Sequence, residues 1–334
     1  MVLKKLVTVG LLSQFLFGKL IVGVGTFLVC PKKGGKISYQ TNCSYQKRIL
    51  PIQFLKKNLP NVNGISVWIT RDWKENWYPA KEVNRFVKEG YTPIYIFYYF
   101  GDDISPKFVA KHQRNYFKTL RRFANYLKKV RGEKFVILNP EYNENGMEKS
   151  RQFDILQARS IMFLKSEVPN LKVGVCPGDF GDYSKIWDPI NWESFRPSLT
   201  FSGAIADFIG FQEMRAVTRN RPKEILDTPY RAWGFATYLH ETYQKPTFLA
   251  YLAISSYRKG GEQLQAEVYR RFAQIIPAME RGAGLIGFNI MNFIDNPNHT
   301  GYFNEAEKYW GILTTDGRRK PAFKFFRKIG EREE

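Results

Sequence analysis

The sequence is short of histidine and cysteine. Only His112, His240 and His299 occur in 334 residues, so a serine or cysteine triad is hard to assemble and carboxylates are the better-supplied chemistry. The three cysteines are Cys30, Cys43 and Cys176. They form no CxxC pair and no Cys/His cluster, so a zinc centre is not expected; no metal or cofactor is required, although Asp102-Asp103 or the Asp179/Asp182 loop could hold a structural calcium. A GxGxxG turn and a P-loop signature are both missing, which speaks against a doubly wound sheet built around a phosphate turn. No low-complexity linker divides the chain, and no short repeat suggests a solenoid. Acids are outnumbered, with 31 Asp and Glu against 51 Lys and Arg, a formal net charge of +20.

That basic excess is spread along the chain rather than gathered into one arm. No helix-turn-helix, zinc-finger or RNA-recognition pattern accompanies it, so a nucleic-acid partner is not expected. Surface charge serving solubility is the first reading, and an acidic glycan or cell-wall partner is the second. The N-terminus, MVLKKLVTVGLLSQFLFGK, sets a Lys pair before an apolar stretch from Leu6 to Phe17. Residues 1–18 read as a signal peptide or N-terminal anchor, although Leu16 is larger than the residue usual two places before a cleavage at Gly18. The apolar stretch is short for a stable membrane span unless it stays uncleaved. The expectation is a secreted or periplasmic monomer; a buried helix in a cytoplasmic protein is the alternative. Cys30 and Cys43 flank a loop-like segment that a disulfide would close, and Cys176 ends an apolar run and should be buried.

What the chain has in quantity is short apolar runs. They fall at Leu20–Val29, Gly64–Thr70, Tyr91–Phe100, Lys134–Leu138, Leu171–Cys176, Ala206–Met214, Pro246–Ile254 and Leu285–Phe293. Helical patterns separate most of them, at 51–58, 80–89, 106–130, 150–167, 229–243 and 262–281, with a last one at 321–329. The runs are near-continuously apolar, as parallel strands covered on both faces should be. Eight such runs alternating with helices predict one α/β domain over 19–334, a (β/α)8 TIM barrel.

In such a barrel the C-terminal strand ends carry the site. The fourth run is followed by NPEYNENG, where Pro140 ends the strand and Glu141 and Glu144 come at once. Other strand ends supply Trp68, Arg71 and Asp72, then Tyr98 and Asp102, then Asn143, Asp179 and Gln212. Glu213 and Tyr251 follow, and then Asn289, Asn292, Asp295 and Trp310. Acids, amides and aromatic rings on one rim suit a sugar chain: rings stack on sugar faces, amides and acids bind hydroxyls, and two carboxyls can flank a glycosidic bond.

The turn NPEYNENG, the segment WITRDWKENWYPAKEVNRFVKEGYTPIYIFYYFGDDIS, and ADFIGF, KPTFLAYLA and GLIGFNIMNFIDN together resemble glycoside hydrolases of clan A, nearest in pattern to family 26. The likeness covers most of the chain from Leu20 onward. It implies a glycoside hydrolase acting on a poly- or oligosaccharide, with the acid/base carboxyl at the end of the fourth strand. Two departures matter. The His-Glu pair of that family is absent, so Glu141 and Glu144 compete for the acid/base role, with Glu141 favoured by its nearness to the strand. The nucleophilic Glu of the seventh strand is replaced by Tyr251. A second carboxylate must then come from Glu213 or from a rim Asp such as Asp102, Asp179 or Asp295; otherwise the protein binds glycans without cleaving them. A barrel acting on phosphorylated metabolites, with an anion site at Ser255–Gly261, is a third reading.

Overall fold

The computed structural model describes residues 18–25, 27, 29–31, 36–39, 49–179 and 192–331. The expected signal segment, Cys43 and Asp182 lie outside them. Eight parallel strands close into a barrel: β1 (Ile21–Gly25), β4 (Gly64–Thr70), β5 (Thr92–Tyr98), β6 (Lys134–Leu138), β7 (Leu171–Val175), β8 (Phe208–Arg215), β9 (Thr247–Ile254) and β10 (Leu285–Ile290). The (β/α)8 expectation holds, and β4 and β6 have the bounds the apolar runs gave them. The first run is divided. Its tail, β2 (Val29–Pro31), leaves the barrel and pairs with β3 (Ile37–Tyr39) as an antiparallel hairpin. Cys30, on β2, is disulfide-bonded, whereas Cys176 is a free, buried thiol.

The helices are α1 (Ile52–Asn58), α2 (Ala80–Lys88), α3 (Pro106–Leu127), α4 (Arg151–Glu167), α5 (Thr200–Ile205), α6 (Pro222–Tyr243), α7 (Gly261–Gly282) and α8 (Ala322–Phe326). Helix α6 begins at Pro222, seven residues before the expected start. Glu224 accepts the Arg221 backbone N–H at 2.8 Å and fixes the first turn, and Pro229 is carried inside the helix. None of the helices among the described residues is long and apolar enough to cross a membrane.

Two cores result. The larger lies between the sheet and the helices. The smaller fills the barrel interior with Ile94, Ile96, Phe135, Ile137, Phe208 and Phe248, then Cys176, Ala250 and Tyr251. Phe135, Phe208 and Phe248 meet with ring centroids 5.5–5.7 Å apart. Gly174 makes room for them, because a Cβ there would lie 2.4 Å from the Phe208 ring.

The site depends on a bulge in β9. Phe211 pairs with Leu249 and Gln212 with Tyr251, which leaves Ala250 as the extra residue. Alternation is broken there, so Ala250 and Tyr251 both join the interior cluster. The carbonyl freed at Ala250 accepts from Asn289 Nδ2 at 2.8 Å.

Candidate active site

Glu141 stands just past the end of β6. Asn139 donates its backbone N–H to the Phe97 carbonyl at 3.0 Å, the last rung of the strand. The chain then turns sharply, with positive φ at Asn139 (46°), Glu141 (60°) and Asn145 (51°). Asn tolerates that region; for Glu it costs about 1–2 kcal/mol. Backbone strain of this kind needs surrounding structure to hold it. Tyr142 supplies part of the hold, being fully buried with its ring centroid 5.1 Å from that of Phe153. Asn143 also ties the loop, donating to the Gly178 carbonyl at 2.8 Å and accepting the Gly178 N–H at 2.5 Å.

The Glu141 carboxyl accepts a short hydrogen bond from the Tyr251 hydroxyl. Its pKa is raised from an ordinary 4.5 to about 7, first by burial, with the Tyr251 hydrogen bond pulling it down and the charges of Asp102, Glu144 and Glu307 pushing it up. A carboxyl that is half protonated near neutrality is the state a general acid needs. The Tyr251 phenol is itself held well above its ordinary value by burial and then by Glu141. Glu144 is half-buried and likewise raised, first by burial and then by Asp102. Around this pair, Trp68 lies 5.0 Å from the Tyr251 ring and 5.6 Å from the Tyr98 ring. Tyr98 donates to Asp102 through another short bond. Gln212 sits beneath, with its Oε1 3.9 Å from Cys176 Sγ.

The structure thus gathers Glu141, Glu144, Tyr251, Trp68, Tyr98 and Asp102, with Gln212 under them. Other expected residues are used differently. Glu213 falls on the outer face of β8, between Gln212 and Met214, which pack inward. It pairs with Arg215 at 2.8 Å and is buried beside Asp179. Asp179 is gripped by Arg231 of α6 through Nε and Nη2 at 2.5 and 2.8 Å, and accepts from Trp192 at 2.9 Å. The expected role of Glu213 as second carboxylate is therefore not matched by its position, because it turns toward α6 and away from Glu141. Asn289 is spent on the bulge and Asn143 on Gly178. Asp295 forms a buried pair with Lys320 at 2.7 Å. Trp310 is 1% exposed and packs edge-on to Phe303 at 5.4 Å, so it offers no sugar platform. Asp72 accepts from Thr70 at 2.6 Å. Arg71 ties the loop after β5 through the Phe100 carbonyl and Asp103, at 3.1 and 3.3 Å.

Sequence reasoning missed Glu307 and His299. Glu307 lies in the segment after β10, 4% exposed, and accepts the Phe303 N–H at 2.8 Å. His299 Nε2 is 3.4 Å from its other oxygen, and His299 Nδ1 is 3.4 Å from Asn292 Nδ2. Burial lowers the His299 pKa. Nothing in the local sequence marks Glu307, since only barrel closure brings it toward Glu141. No cluster of three or more His, Cys, Asp or Glu side chains suited to a metal occurs among the described residues.

No protein-family model matches the chain, and no curated protein does. Its fold does match solved structures. It is similar to the β-D-glucuronidase of Dictyoglomus thermophilum (TM-score 0.56, 12% identity, covering 95% of this chain and 51% of that one). It is also similar to an exo-β-1,4-mannosidase from Opitutaceae bacterium strain TAV5 (0.57, 13%, 93% and 59%). A third match is the endo-β-1,4-mannanase from Thermotoga petrophila (0.53, 12%, 81% and 70%). The chain spans about half the length of the glucuronidase. These neighbours are glycoside hydrolases, and at such identities the likeness carries the barrel fold alone.

Proposed function

We propose that this protein is a glycoside hydrolase acting on a polysaccharide, with Glu141 as the proton donor. The observation that carries this reading is a carboxyl with a pKa of about 7 at the C-terminal end of β6, hydrogen-bonded by Tyr251. Protonated Glu141 would give its proton to the glycosidic oxygen as the bond to the anomeric carbon breaks. The Tyr251 hydroxyl would then stabilise the carboxylate left behind. Trp68 and Tyr98 would form the aromatic wall for the sugar rings. The second carboxylate is assigned to the acids that raise the Glu141 pKa, namely Asp102, Glu144 and Glu307, in place of Glu213. The fold shared with glycoside hydrolases supports this reading, and the pattern likeness to family 26 is consistent with it.

A second reading is a glycan-binding barrel without turnover. It is favoured by one observation: a phenol rather than a carboxylate faces Glu141 from β9. One experiment separates the two. Reducing-sugar release is measured on β-mannans, β-glucans, xylans and acidic polysaccharides for the wild type, Glu141→Gln and Glu213→Gln. Turnover lost in folded Glu141→Gln and kept in Glu213→Gln is the expected result. Full turnover in Glu141→Gln overturns the assignment. Binding without turnover in the wild type establishes the second reading.

A further inference from the structure

Three acids act on the Glu141 carboxyl, and they are held differently. Asp102 is exposed, on the short turn Gly101–Asp103, and its carboxylate is taken up by the Tyr98 hydroxyl. Glu144 is half-buried, and burial followed by the Asp102 charge raises its pKa, which favours its protonated form. Glu307 is 4% exposed and sits in the turn Asn304–Tyr309, within the long segment after β10. That segment is pinned at several points. The Phe303 carbonyl accepts from Thr218 Oγ1 at 2.9 Å, and the Ala306 carbonyl from Ser255 Oγ at 2.7 Å. Ser256 donates its backbone N–H to the Tyr309 carbonyl at 3.1 Å. The loop after β8 and the end of β9 thus hold Glu307 in place. Met214 and Met291 pack both against the cluster of Phe303, Ala306 and Trp310 and against the interior cluster of Tyr251.

The carboxylate itself is aimed from both sides. Its Oε1 accepts the Phe303 N–H at 2.8 Å, and His299 Nε2 stands 3.4 Å from its Oε2. On the far side of the ring, Asn292 Nδ2 is 3.4 Å from His299 Nδ1. With Asn292 as donor there, a neutral imidazole carries its proton on Nε2, toward Glu307. Burial lowers the His299 pKa and so favours that neutral ring, while the charges of Glu307 and Asp102 act the other way. A Cβ at Gly301 would lie 2.7 Å from Glu307 Oε2, so a glycine is what lets the chain close on that oxygen. The Glu307 charge acts on Glu141, and the charges of Asp102 and Glu307 act on His299, so these groups surround one space at the mouth of the barrel.

We propose that Glu307 is the second catalytic carboxylate, acting as base on a water that attacks the anomeric carbon, with His299 as its positioning residue. The inference rests on the glycosidase reading and on Glu141 as the proton donor. As the water oxygen bonds to the anomeric carbon, one water proton passes to Glu307. The electron pair of the breaking C–O bond stays on the glycosidic oxygen, which takes the proton of Glu141. Solvent then removes the proton from Glu307 and returns one to Glu141. Glu307 suits a water better than direct attack on the sugar. Its oxygens are met by Phe303 and His299 and closed in by Gly301, so a small molecule reaches them more readily than a sugar ring does. A base that acts through water inverts the configuration at the anomeric carbon.

The test uses whichever of β-mannan, β-glucan and xylan the wild type cleaves. Proton NMR early in the reaction reads the configuration of the wild-type product, and this needs no variant. Inverted product is expected; retained product overturns the proposal. Glu307→Gln, its fold checked by circular dichroism, should lose turnover about a hundredfold or more. Glu307→Ala should recover turnover in sodium azide and release a glycosyl azide of inverted configuration, the anion standing where the water stood. Asp102→Ala and Glu144→Ala should show no such recovery. Azide recovery in either of them, or full turnover in Glu307→Gln, gives the role to another acid and overturns the proposal. His299→Leu should lower kcat about tenfold or more while KM and the alkaline limb near 7 stay in place. His299→Gln, which keeps an N–H donor toward Glu307, should restore most of that loss; equal losses in the two variants overturn the positioning role. A wild type that cleaves none of the glycans sinks the glycosidase reading and this inference with it. Turnover that gives retained product, or that Glu307→Gln keeps, sinks this inference alone.

Discussion

Glu141 and Glu213 are both carboxylates near the ends of barrel strands, yet they are held in opposite ways. Glu213 faces α6 with Arg215 at 2.8 Å, and its neighbour Asp179 has Arg231 across two nitrogens. Glu141 has no guanidinium on it. Its hydrogen bond comes from a neutral phenol, and the charges that act on it are acidic. Burial with Arg215 and Arg231 ties Glu213 and Asp179 together as a strut, even though burial, against the pull of Arg215, and the neighbouring Asp179 also push the Glu213 pKa well above its ordinary value. Burial with a phenol and other acids builds a group that holds its proton near neutrality and can give it up. The two carboxylates therefore teach that position along a strand is insufficient; the side of the sheet decides.

The comparison can be broken most directly at Glu141. Glu141→Gln should lower turnover about a hundredfold or more, since it removes the proton while keeping the shape. The pH dependence carries a definite sign. As proton donor, Glu141 works in its protonated form, so the rate should fall as pH rises through about 7. Stability moves the same way. A folded-state pKa raised from 4.5 to about 7 leaves stability intact below 4.5 and costs up to roughly 3 kcal/mol as pH rises through the folded value. Thermal melts at pH 5 and pH 8 should therefore show Glu141→Gln gaining on the wild type at the higher pH. An equal gap at both would mean that Glu141 is not held protonated.

The opposite test is Arg231→Met. It strips the two-nitrogen grip from a fully buried Asp179, and breaking such a pair costs about 3–5 kcal/mol. Urea unfolding should show that loss, while the pH profile of turnover in the surviving folded protein keeps its limb near 7. A shift of that limb would mean that the two carboxylate groups are coupled rather than separate.

The contrast also shows how far the sequence could be read. Apolar runs gave the barrel because a parallel strand covered on both faces must be apolar throughout, and this property is local. Glu141 was legible because Pro140 marks where β6 ends. Glu213 was not, because a run as apolar as ADFIGFQEM does not show which residues face inward. The bulge at Ala250 was invisible for the same reason, and it is what turns Tyr251 toward Glu141. Trp310 looked like a platform because composition says nothing of burial. Glu307 gave no signal at all, since it approaches the site only when the last strand closes the barrel.

Tyr251→Phe sharpens the Glu141 half of the comparison with a smaller effect. The hydroxyl pulls the Glu141 pKa down, so its removal should raise that pKa above 7 and carry the alkaline limb of the rate with it. Loss of a hydrogen bond to a charged group costs about 1.5–3 kcal/mol, so turnover on the plateau below that limb, where the carboxylate forms in the transition state, should fall about tenfold to hundredfold. A limb that moved downward would mean that the phenol opposes the carboxylate instead of supporting it.

The smallest effect is expected at Asn143, which touches neither pair. Its two bonds to the Gly178 backbone join the loop after β6 to the loop after β7. Asn143→Ala should cost about 1–2 kcal/mol of stability, the ordinary worth of two such bonds. Its larger consequence follows from the 60° φ of Glu141, a conformation that a free loop would leave. If Asn143 holds that turn, kcat should fall while KM and the pH limb stay where they are, because the carboxyl keeps its chemistry but loses its aim. If stability drops and kcat does not, Tyr142 packed on Phe153 is sufficient to hold Glu141, and the strain is borne by the core rather than by the loop.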